Sequence, residues 1–327
     1  MEKLLILMGK KIMKILVTGG AGFIGSHLVD ALISKGHTLV VIDNLSTGFK
    51  KNINPKAIFY KLDICDPAIQ KVFIKERPES VFHFAAQVNL RRSIDNPIKD
   101  AKTNILGSIN ILENCVDAGV KKVIFASTGG AMYGEANIIP TSESHMANPL
   151  SPYAINKLAI ESYLNYYYNI FGLQYVSLRF SNVYGPRQNP KGEAGVVGIF
   201  CEKIFKHQNP TVYGNGRQTR DFIYVDDAIN ASISAMEMEG LGVYNISTSK
   251  ETSINMIFDL IKRESGVNCK KIHIKEGGGA QKKSCLDYSQ AKKVFGWQPE
   301  YSLKKGIINT IRWYRSKLNY EKNGSIL

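Results

Sequence analysis

Short apolar runs alternate with longer amphipathic stretches through the first half of the chain. The run at 14–18 ends in glycines, which predicts a buried strand. A helix is predicted over 21–34, because Gly36 stops the helical pattern. The same reasoning predicts further strands at 39–42, 58–61, 81–84, 123–126 and 175–180, with helices near 67–75, 104–118 and 151–171. Strands that alternate with helices predict an α/β fold built on a parallel, doubly wound sheet.

The pattern loosens after Asn182. Loops rich in Gly, Asn and Pro, such as 185–198, are predicted to alternate with short elements there. We therefore predict a larger domain over 14–180 and a smaller C-terminal α/β domain over 181–327. Segments near 218–247 are expected to return to the larger domain.

The charge of the chain limits its class of partner. Lys and Arg number 42 against 28 Asp and Glu, so the formal net charge is +14. The lysines are scattered, and no long basic run carries interleaved aromatics. We therefore interpret the positive charge first as a solvated lysine-rich surface and second as a sign of an acidic small substrate, such as a diphosphate. No nucleic-acid partner is expected.

The cysteines and apolar segments indicate the compartment. Five cysteines, without a CxxC motif or a Cys/His cluster, argue against disulfides or a metal site and for a reducing cytosol. No apolar stretch approaches the ~18 residues of a membrane span. The apolar core of 1–13 is shorter than the ~7–15 residues typical of a signal peptide. We interpret 1–13 as an extension without function, with Met8 and Met13 as alternative starts, and expect a cytoplasmic protein without membrane or metal.

A glycine-rich segment follows the first predicted strand and opens the first predicted helix. Gly19, Gly22 and Gly25 form a G-x-x-G-x-x-G pattern there. Glycine lets the backbone come close to a pyrophosphate, whose charge is then stabilised by the helix N-terminus. Plain tight turns also use glycine, but the strand–turn–helix context favours a dinucleotide site.

The second predicted strand leads into Asp43. A carboxylate here can accept hydrogen bonds from both hydroxyls of an adenosine ribose and would repel a 2′-phosphate, which predicts NAD over NADP. Lys50 and Lys51 are nearby, so NADP is disfavoured without being excluded. The alternative is that Asp43 only caps the following turn.

Tyr153 and Lys157 form a Y-x-x-x-K pair near the start of the helix predicted over 151–171. Residues i and i+4 share a helix face, and a cation beside a phenol stabilises the phenolate. Lowering the phenol pKa from about 10 to about 7 needs roughly 4 kcal/mol, and such a tyrosine removes a proton from a hydroxyl near neutral pH. The pair alone is common in helices, but here it follows a dinucleotide loop. Ser127 and Thr128 are both candidates to hydrogen-bond the same hydroxyl, and Thr128 is preferred.

Together these features resemble the extended short-chain dehydrogenase/reductase family, and within it the nucleotide-sugar epimerases of the UDP-glucose 4-epimerase type. The resemblance covers about 14–315. It implies a Rossmann-type NAD-binding domain over 14–180, a substrate-binding domain over 181–327 and tightly bound NAD. It also implies a homodimer formed through a helix pair near 99–118 and 152–171.

The resemblance assigns functional residues by position. The catalytic residues it implies are Thr128, Tyr153 and Lys157. The cofactor-binding residues it implies are Gly19, Gly22, Phe23, Ile24, Gly25, Asp43, Asn44, Ser46, Thr47, Gly48, Asp63, Ile64, Phe84, Ala85, Ala86, Gln87, Asn104, Ser127, Tyr153 and Lys157. The substrate-binding residues it implies are Thr128, Asn182, Val196, Val197, Tyr213, Arg220 and Ser284, of which Arg220 would pair with the diphosphate.

Departures from the resemblance refine the expected reaction. The 4,6-dehydratases carry carboxylates after the strand, whereas Thr128 is followed by 129–131, Gly-Gly-Ala, which disfavours dehydration. Many relatives carry R-x-G-E/D where 277–280 reads Gly-Gly-Gly-Ala, so a neighbouring lysine substitutes or nucleotide binding is altered. Ser284 stands where a large residue excludes N-acetyl sugars in some relatives, so N-acetylhexosamines are also candidate substrates.

The resulting prediction is NAD-dependent epimerisation at C4 of a UDP-sugar through a 4-keto intermediate. UDP-glucose and UDP-galactose are the expected pair. One alternative is another nucleotide-sugar modification on the same fold, by a uronic-acid epimerase, a decarboxylase or a 4,6-dehydratase. The other is a non-catalytic dinucleotide-binding protein.

Overall fold

Strands and helices alternate along most of the chain in the computed structural model, which describes residues 11–190, 195–275 and 281–323. The strands are β1 (Lys14–Thr18), β2 (Thr38–Ile42), β3 (Ile58–Tyr60), β4 (Ser80–His83), β5 (Lys122–Thr128), β6 (Gln174–Phe180), β7 (Asn182–Tyr184), β8 (Thr211–Tyr213), β9 (Thr219–Tyr224), β10 (Gly242–Ile246), β11 (Glu251–Ser253), β12 (Ile272–Ile274) and β13 (Lys283–Ser284). The α-helices are α1 (Phe23–Ser34), α2 (Ile69–Glu76), α3 (Leu90–Asp95), α4 (Pro97–Ala101), α5 (Gly107–Asp117), α6 (Pro152–Phe171), α7 (Val196–Phe205), α8 (Val225–Glu237), α9 (Ile254–Ser265), α10 (Ser289–Phe295) and α11 (Leu303–Asn323).

Seven parallel strands form the central sheet, in the order β10-β6-β5-β4-β1-β2-β3. The chain runs outward from β1 to β3 and then returns to the other side of β1. The crevice beside such a reversal is where open α/β sheets bind ligands. The predicted Rossmann-type, doubly wound sheet is confirmed.

Helices cover both faces of this sheet, which explains why its strands are apolar runs without alternation. Ile15 and Val17 pack into a core that includes residues of α1 and α8. Leu16, between them in sequence, packs into a second core with residues of α2, α5 and α6. Successive strand residues point to opposite faces, so β1 is buried on both sides.

The predicted elements of the first half are confirmed, with shifted ends. The largest shift concerns the helix predicted over 104–118. Its helical segment begins at Pro97 with α4, continues as a π-helical stretch at Lys102–Leu106 and ends as α5. The sequence contained a start signal that the prediction did not use: the Asn96 side chain accepts a hydrogen bond from Lys99 N at 2.9 Å, and Pro97 occupies the first turn.

The second half is more regular than the sequence predicted. The prediction of loops and short elements after Asn182 was wrong for α7, α8, α9 and α11, which have 10, 13, 12 and 21 residues. Helix α7 begins inside the predicted loop 185–198. Most of α7 is apolar or buried, so it lacks the polar face that makes a helical period readable.

A smaller sheet and a strand pair lie beyond the central sheet. Strand β9 is antiparallel to β11 and parallel to both β13 and β7. Strands β8 and β12 form a separate parallel pair.

The segment 218–247 is divided between these layers: β9 belongs to the small sheet, while β10 is an edge strand of the central sheet and α8 packs with its core. The domain division at 180 stays a prediction. Among the described residues no helix has the length and apolar character needed to cross a membrane.

Candidate active site

A cleft opens at the carboxyl ends of β1, β2, β4, β5 and β6, beside the reversal of strand order. This is the expected place for a ligand in a doubly wound sheet. Of the predicted site residues, the lining includes Gly19, Gly22, Phe23, Ile24, Gly25, Asp43, Asn44, Ser46, Thr47, Ile64, Phe84, Ala85, Ala86, Ser127, Thr128, Tyr153, Lys157 and Asn182. The structure thus brings residues from the whole first half of the chain together at one edge of the sheet.

The glycine loop is shaped by close contact between main-chain segments. Gly19 has a φ of +74°, which favours glycine, and a Cβ on Gly19 would lie 2.7 Å from Ala85 N. A Cβ on Gly25 would lie 2.2 Å from Gly19 O. The first turn of α1 lines the cleft, and the first N–H groups of a helix have no partner within it. This cradle fits the diphosphate of a dinucleotide, which binds at helix N-termini.

Asp43 both shapes the loop and lines the cleft. Its carboxylate accepts hydrogen bonds from Ala21 N at 2.9 Å and from Leu45 N at 2.8 Å, and it is 8% exposed. Burial raises the pKa of Asp43 against the effect of those two hydrogen bonds. The hydrogen bond from Leu45 N is the turn cap that the sequence offered as the alternative role of Asp43. The same side chain therefore caps the turn and lines the cleft.

Tyr153 and Lys157 lie in the first two turns of α6. Ser151 precedes this helix and its hydroxyl accepts a hydrogen bond from Ala154 N at 3.3 Å, which fixes the helix start. The Lys157 Nζ atom is 5.9 Å from the centroid of the Tyr153 ring. Both side chains line the cleft, so the predicted pair meets in the site.

Burial changes the expected charge of Lys157. Its Nζ donates to Ala126 O at 2.6 Å and lies 4.5 Å from the centroid of the Phe125 ring. Burial lowers the pKa of Lys157 to about 7, against the opposing effect of the carboxylates of Asp100 and Glu161. From the sequence Lys157 was expected to be a cation, whereas in the structure its charge depends on nearby carboxylates.

The structure separates the two candidate hydroxyls. The Ser127 hydroxyl donates a hydrogen bond to Glu161 Oε1 at 2.6 Å, within the protein interior. Ser127 and Thr128 both line the cleft at the end of β5, but the Ser127 hydroxyl is directed at Glu161. This geometry favours Thr128 as the hydroxyl that meets a substrate.

Several predicted cofactor residues support the cleft without lining it. Asn104 accepts from Gln87 N at 2.8 Å and donates to Gln87 O at 2.9 Å, which fixes the chain beyond β4. Asp63 accepts a hydrogen bond at 2.7 Å from Asn44, which does line the cleft. Gly48 packs against Ala21, because a Cβ there would lie 2.8 Å from Ala21 C.

The predicted substrate residues are more dispersed. Val196 and Val197 form the first turn of α7, and Val197 is buried. Tyr213 ends β8 and is exposed. Arg220 lies in β9 and donates to Thr219 O, while the Ser284 hydroxyl is 3.4 Å from Gly130 O, next to the loop that follows Thr128. Their binding roles stay predictions, and the residues 277–280 lie outside the described residues.

The sequence reasoning missed the buried polar residues behind the cleft. His83 is hydrogen-bonded through its two ring nitrogens to the hydroxyls of Thr18 and Ser108, each at 2.8 Å, and burial lowers its pKa to about 3. Asp100 accepts from Asn156 at 2.6 Å. A signal existed for Glu161, which is one turn after Lys157 on the same helix face.

In the ranges 11–190, 195–275 and 281–323, no group of three or more His, Cys, Asp or Glu side chains is placed to hold a metal ion. All five cysteines lie in these ranges and are free thiols.

Comparison with known proteins gives one consistent group. The model of the NAD dependent epimerase/dehydratase family matches residues 15–247. The UDP-glucose 4-epimerase of Thermotoga maritima, solved with UDP-glucose, is 46% identical with a TM-score of 0.92, over 94% of this chain and 100% of that one. The UDP-glucose 4-epimerase of Thermus thermophilus, solved with NAD, is 38% identical with a TM-score of 0.89, over 93% and 99%. A UDP-N-acetylglucosamine 4-epimerase of Methanobrevibacter ruminantium is 35% identical with a TM-score of 0.89, over 94% and 100%.

Proposed function

The chain belongs to the NAD-dependent epimerase/dehydratase family, and we propose that it is an NAD-dependent isomerase that inverts C4 of the sugar in a UDP-sugar. The observation that carries this proposal is the meeting of Thr128, Tyr153 and Lys157 with the glycine loop in one cleft. The T. maritima and T. thermophilus epimerases support it at 46% and 38% identity.

The cleft supports NAD as the cofactor. The glycine cradle at 19–25 suits the diphosphate, and the Asp43 carboxylate at the end of β2 suits an unphosphorylated ribose. When bound, NAD supplies reversible oxidation and reduction of the sugar carbon. The reaction has no net redox change, so the enzyme needs no added reductant.

Three side chains of the cleft have separate roles in moving the proton of the sugar 4-hydroxyl. Tyr153 takes the proton of the 4-hydroxyl as the C4 alcohol becomes a ketone, and returns it when the alcohol re-forms. Lys157, one turn away, stabilises the phenolate by its charge. Thr128 orients the 4-hydroxyl by a hydrogen bond. The flat 4-keto sugar turns over between the two half-reactions, while the nucleotide anchors it.

The loop after β5 supports epimerisation over dehydration. Eliminating water needs an additional acid and base near the sugar. A Cβ on Gly129 would lie 2.2 Å from Leu286 Cδ1, so that position has no room for a carboxylate side chain. Gly130 follows, and it too carries no acid.

The substrate is proposed to be UDP-glucose or UDP-galactose, with N-acetylhexosamine forms also accepted. Ser284 is small and its hydroxyl lies 3.4 Å from Gly130 O, beside the catalytic loop. A small side chain here leaves room for an N-acetyl group. The M. ruminantium enzyme shows that an N-acetylglucosamine 4-epimerase exists on this fold at 35% identity.

A homodimer is proposed from the outer face of α6. Four apolar side chains on this helix are exposed and recur at helical spacing: Ile155, Tyr163, Tyr166 and Ile170. Ile98 on the neighbouring α4 is also exposed. Such a contiguous apolar face indicates a protein partner. Replacing Tyr166 and Ile170 with Glu should convert the dimer into a monomer in sedimentation analysis, and an unchanged mass would reject this interface.

We also propose a cytoplasmic location. All five cysteines are free, which suits a reducing compartment. Thiol counting on protein purified under non-reducing conditions should give five. Oxidised pairs would contradict the proposal.

The decisive experiment is an isomerisation assay without added cofactor. Purified protein is mixed with UDP-galactose or, separately, with UDP-N-acetylgalactosamine, and the anomeric proton signals are followed by NMR. Appearance of the gluco epimer establishes 4-epimerisation with retained NAD, and the two rates compare the sugars. No change in either sugar, even after NAD is supplied, would reject the proposed function.

A further inference from the structure

Glu161 connects the two halves of the proposed catalytic group. It lies on α6 one turn after Lys157, and its side chain is 5% exposed. The carboxylate accepts from Ser127 Oγ at 2.6 Å and Ser177 Oγ at 3.1 Å. It also accepts from Arg179 Nε at 3.0 Å and Nη2 at 2.5 Å. A residue of the helix that carries Tyr153 is therefore bonded to the strand end that carries Thr128.

Arg179 extends this connection to the far end of the catalytic loop. Its Nη1 donates to the Tyr133 hydroxyl at 2.8 Å, and that hydroxyl donates to Asn245 Oδ1 at 2.9 Å. The loop between Ser127 and Tyr133 is thus held at both ends by one ion pair. Thr128 and the Gly129–Gly130 turn lie between those two points.

Stability alone is a weak reason for such a pair. Removing two charges from water is costly, and a buried ion pair is often replaceable by apolar residues of similar size without loss of stability. The side chain of Arg179 is 8% exposed. The remaining hydrogen bonds of the pair end on Ser127, Ser177 and Tyr133. Ser127 and Tyr133 lie on either side of Thr128, which indicates a role in arranging that loop.

The charge of Glu161 also faces Lys157. The titratable groups around Lys157 are Asp100 on α4, Glu161 and Tyr153 on α6, and His83 on β4. His83 is neutral near pH 7 because burial lowers its pKa to about 3. The carboxylates of Asp100 and Glu161 oppose the lowering of the Lys157 pKa by burial.

We propose that Glu161, paired with Arg179, is a positioning residue for the epimerisation. Its carboxylate holds the 127–133 loop against the helix of Tyr153 and places a negative charge beside Lys157. The proposal rests on the proposed function for its kinetic part. Its electrostatic part concerns the Lys157 side chain alone and is measurable without substrate.

The first test uses Glu161→Gln in the full-length protein. The kcat is expected to fall at least about tenfold, with a KM for UDP-galactose within about twofold of wild type, because the loop is loosened and the nucleotide contacts are intact. Loss of the negative charge lowers the pKa of Lys157 further. The alkaline limb of the kcat–pH profile should therefore move to lower pH.

The Lys157 side chain can be titrated directly. In protein labelled with 13Cε-lysine, the Lys157 signal is assigned by its absence from the Lys157→Met spectrum. Its titration should move to lower pH in Glu161→Gln and return toward wild type in Glu161→Asp. Ser127→Ala keeps the carboxylate, so it should reduce kcat with the Lys157 titration unchanged.

Glu76→Gln is the matched control. Glu76 is also 5% exposed, and it accepts from the Tyr60 hydroxyl at 2.6 Å and from Lys14 Nζ at 3.2 Å, outside the cleft. It should lower thermal stability while leaving kcat and the Lys157 titration unchanged. Parallel losses in Glu76→Gln and Glu161→Gln, or a Lys157 titration unmoved by Glu161→Gln, would overturn the proposal.

Two further arms keep the test decisive. If Glu161→Gln does not fold, the double variant Glu161→Leu with Arg179→Met removes both buried charges together and should fold. It lacks the hydrogen bonds that hold the 127–133 loop, so its kcat is expected to fall at least about tenfold, and a wild-type kcat rejects the proposal. If wild-type protein isomerises no UDP-sugar, the proposed function fails, and the Lys157 titration still decides the electrostatic part for Glu161.

Discussion

The cofactor side and the substrate side of the cleft are built by different means. The predicted cofactor residues lie at the ends of adjacent parallel strands, all between Gly19 and Lys157 in the chain, and we call this region the cofactor side. Its contacts are local turns and main-chain approaches, such as that between Gly19 and Ala85. The predicted substrate residues Asn182, Arg220 and Ser284 lie on the short strands β7, β9 and β13, which come from well-separated parts of the chain. We call this region the substrate side.

A single buried carboxylate joins those separated parts. Asp221 on β9 is 1% exposed and accepts from Thr248 N at 2.9 Å and Ser249 N at 3.0 Å. It also accepts from the Thr248 hydroxyl at 2.7 Å and lies 3.4 Å from Leu286 N. The cofactor side therefore depends on the backbone geometry of glycines, and the substrate side depends on the hydrogen bonds of one acid. Substitutions on the two sides should fail in different ways.

The largest effect is expected at Tyr153, where the two sides meet. Tyr153→Phe removes the proton acceptor and keeps the ring, so kcat should fall about 10³-fold. NAD content, measured by absorbance after denaturation, should equal that of wild type. Retained activity would show that another group is the base.

The next largest effect concerns the cofactor side alone. Gly19→Ala combines a φ of +74° with a Cβ 2.7 Å from Ala85 N. Strain and overlap should cost about 3 kcal/mol or more and empty the NAD site. NAD content and thermal unfolding measure this.

Gly36→Ala is the matched control for Gly19→Ala. Gly36 has a φ of +90°, and a Cβ there would meet nothing within 4 Å. It should cost only about 1 kcal/mol of strain and retain NAD. Equal losses of NAD in both variants would show that φ, and not contact with Ala85, explains the glycine requirement.

The same contrast explains what the sequence could predict. The first-half strands, the glycine loop and the Tyr153–Lys157 pair were predicted because each signal lies within a few residues. Helix α7 was missed because none of its faces is exposed, which hides the helical period. Helix α9 carries a readable amphipathic pattern, with Ile254, Ile257, Phe258 and Ile261 buried, which the prediction did not use. Asp221 was missed as a supporting residue because its partner Thr248 is far away in sequence. Glu161 was missed although it follows Lys157 by one turn, and its contact with Ser127 becomes evident only in the fold.

A smaller effect is expected on the substrate side. Asp221→Asn keeps the shape but turns one carboxylate oxygen into a donor. Thr248 N donates to Oδ1 and Ser249 N to Oδ2, so the variant leaves one of these two N–H groups without its acceptor. The KM for UDP-galactose should rise about tenfold with NAD content unchanged. The free energy of unfolding should fall by about 2 kcal/mol. Asp287→Asn is the control, since the carboxylate of Asp287 accepts locally from Ser289 N at 2.9 Å and from the Ser289 hydroxyl at 2.8 Å. A loss of NAD in Asp221→Asn would show that the two sides are not separable.

The smallest effect is expected at Asp43, where the cofactor side also uses a buried acid. Asp43→Asn can still accept from Leu45 N, but it presents a donor toward Ala21 N or the ribose. NAD affinity should therefore fall about fivefold, and the preference of the enzyme for NAD over NADP should become smaller. Asp43 also predicts a pH dependence, because burial raises the pKa of this carboxyl group.

As pH falls through that raised pKa the wild-type carboxylate takes up a proton, so wild-type NAD affinity should weaken on acidification. Affinity measured by calorimetry from pH 8 downward should converge for the two proteins, because the variant has no proton to gain there. A parallel decline in both would show that another group, and not Asp43, governs the pH response of cofactor binding.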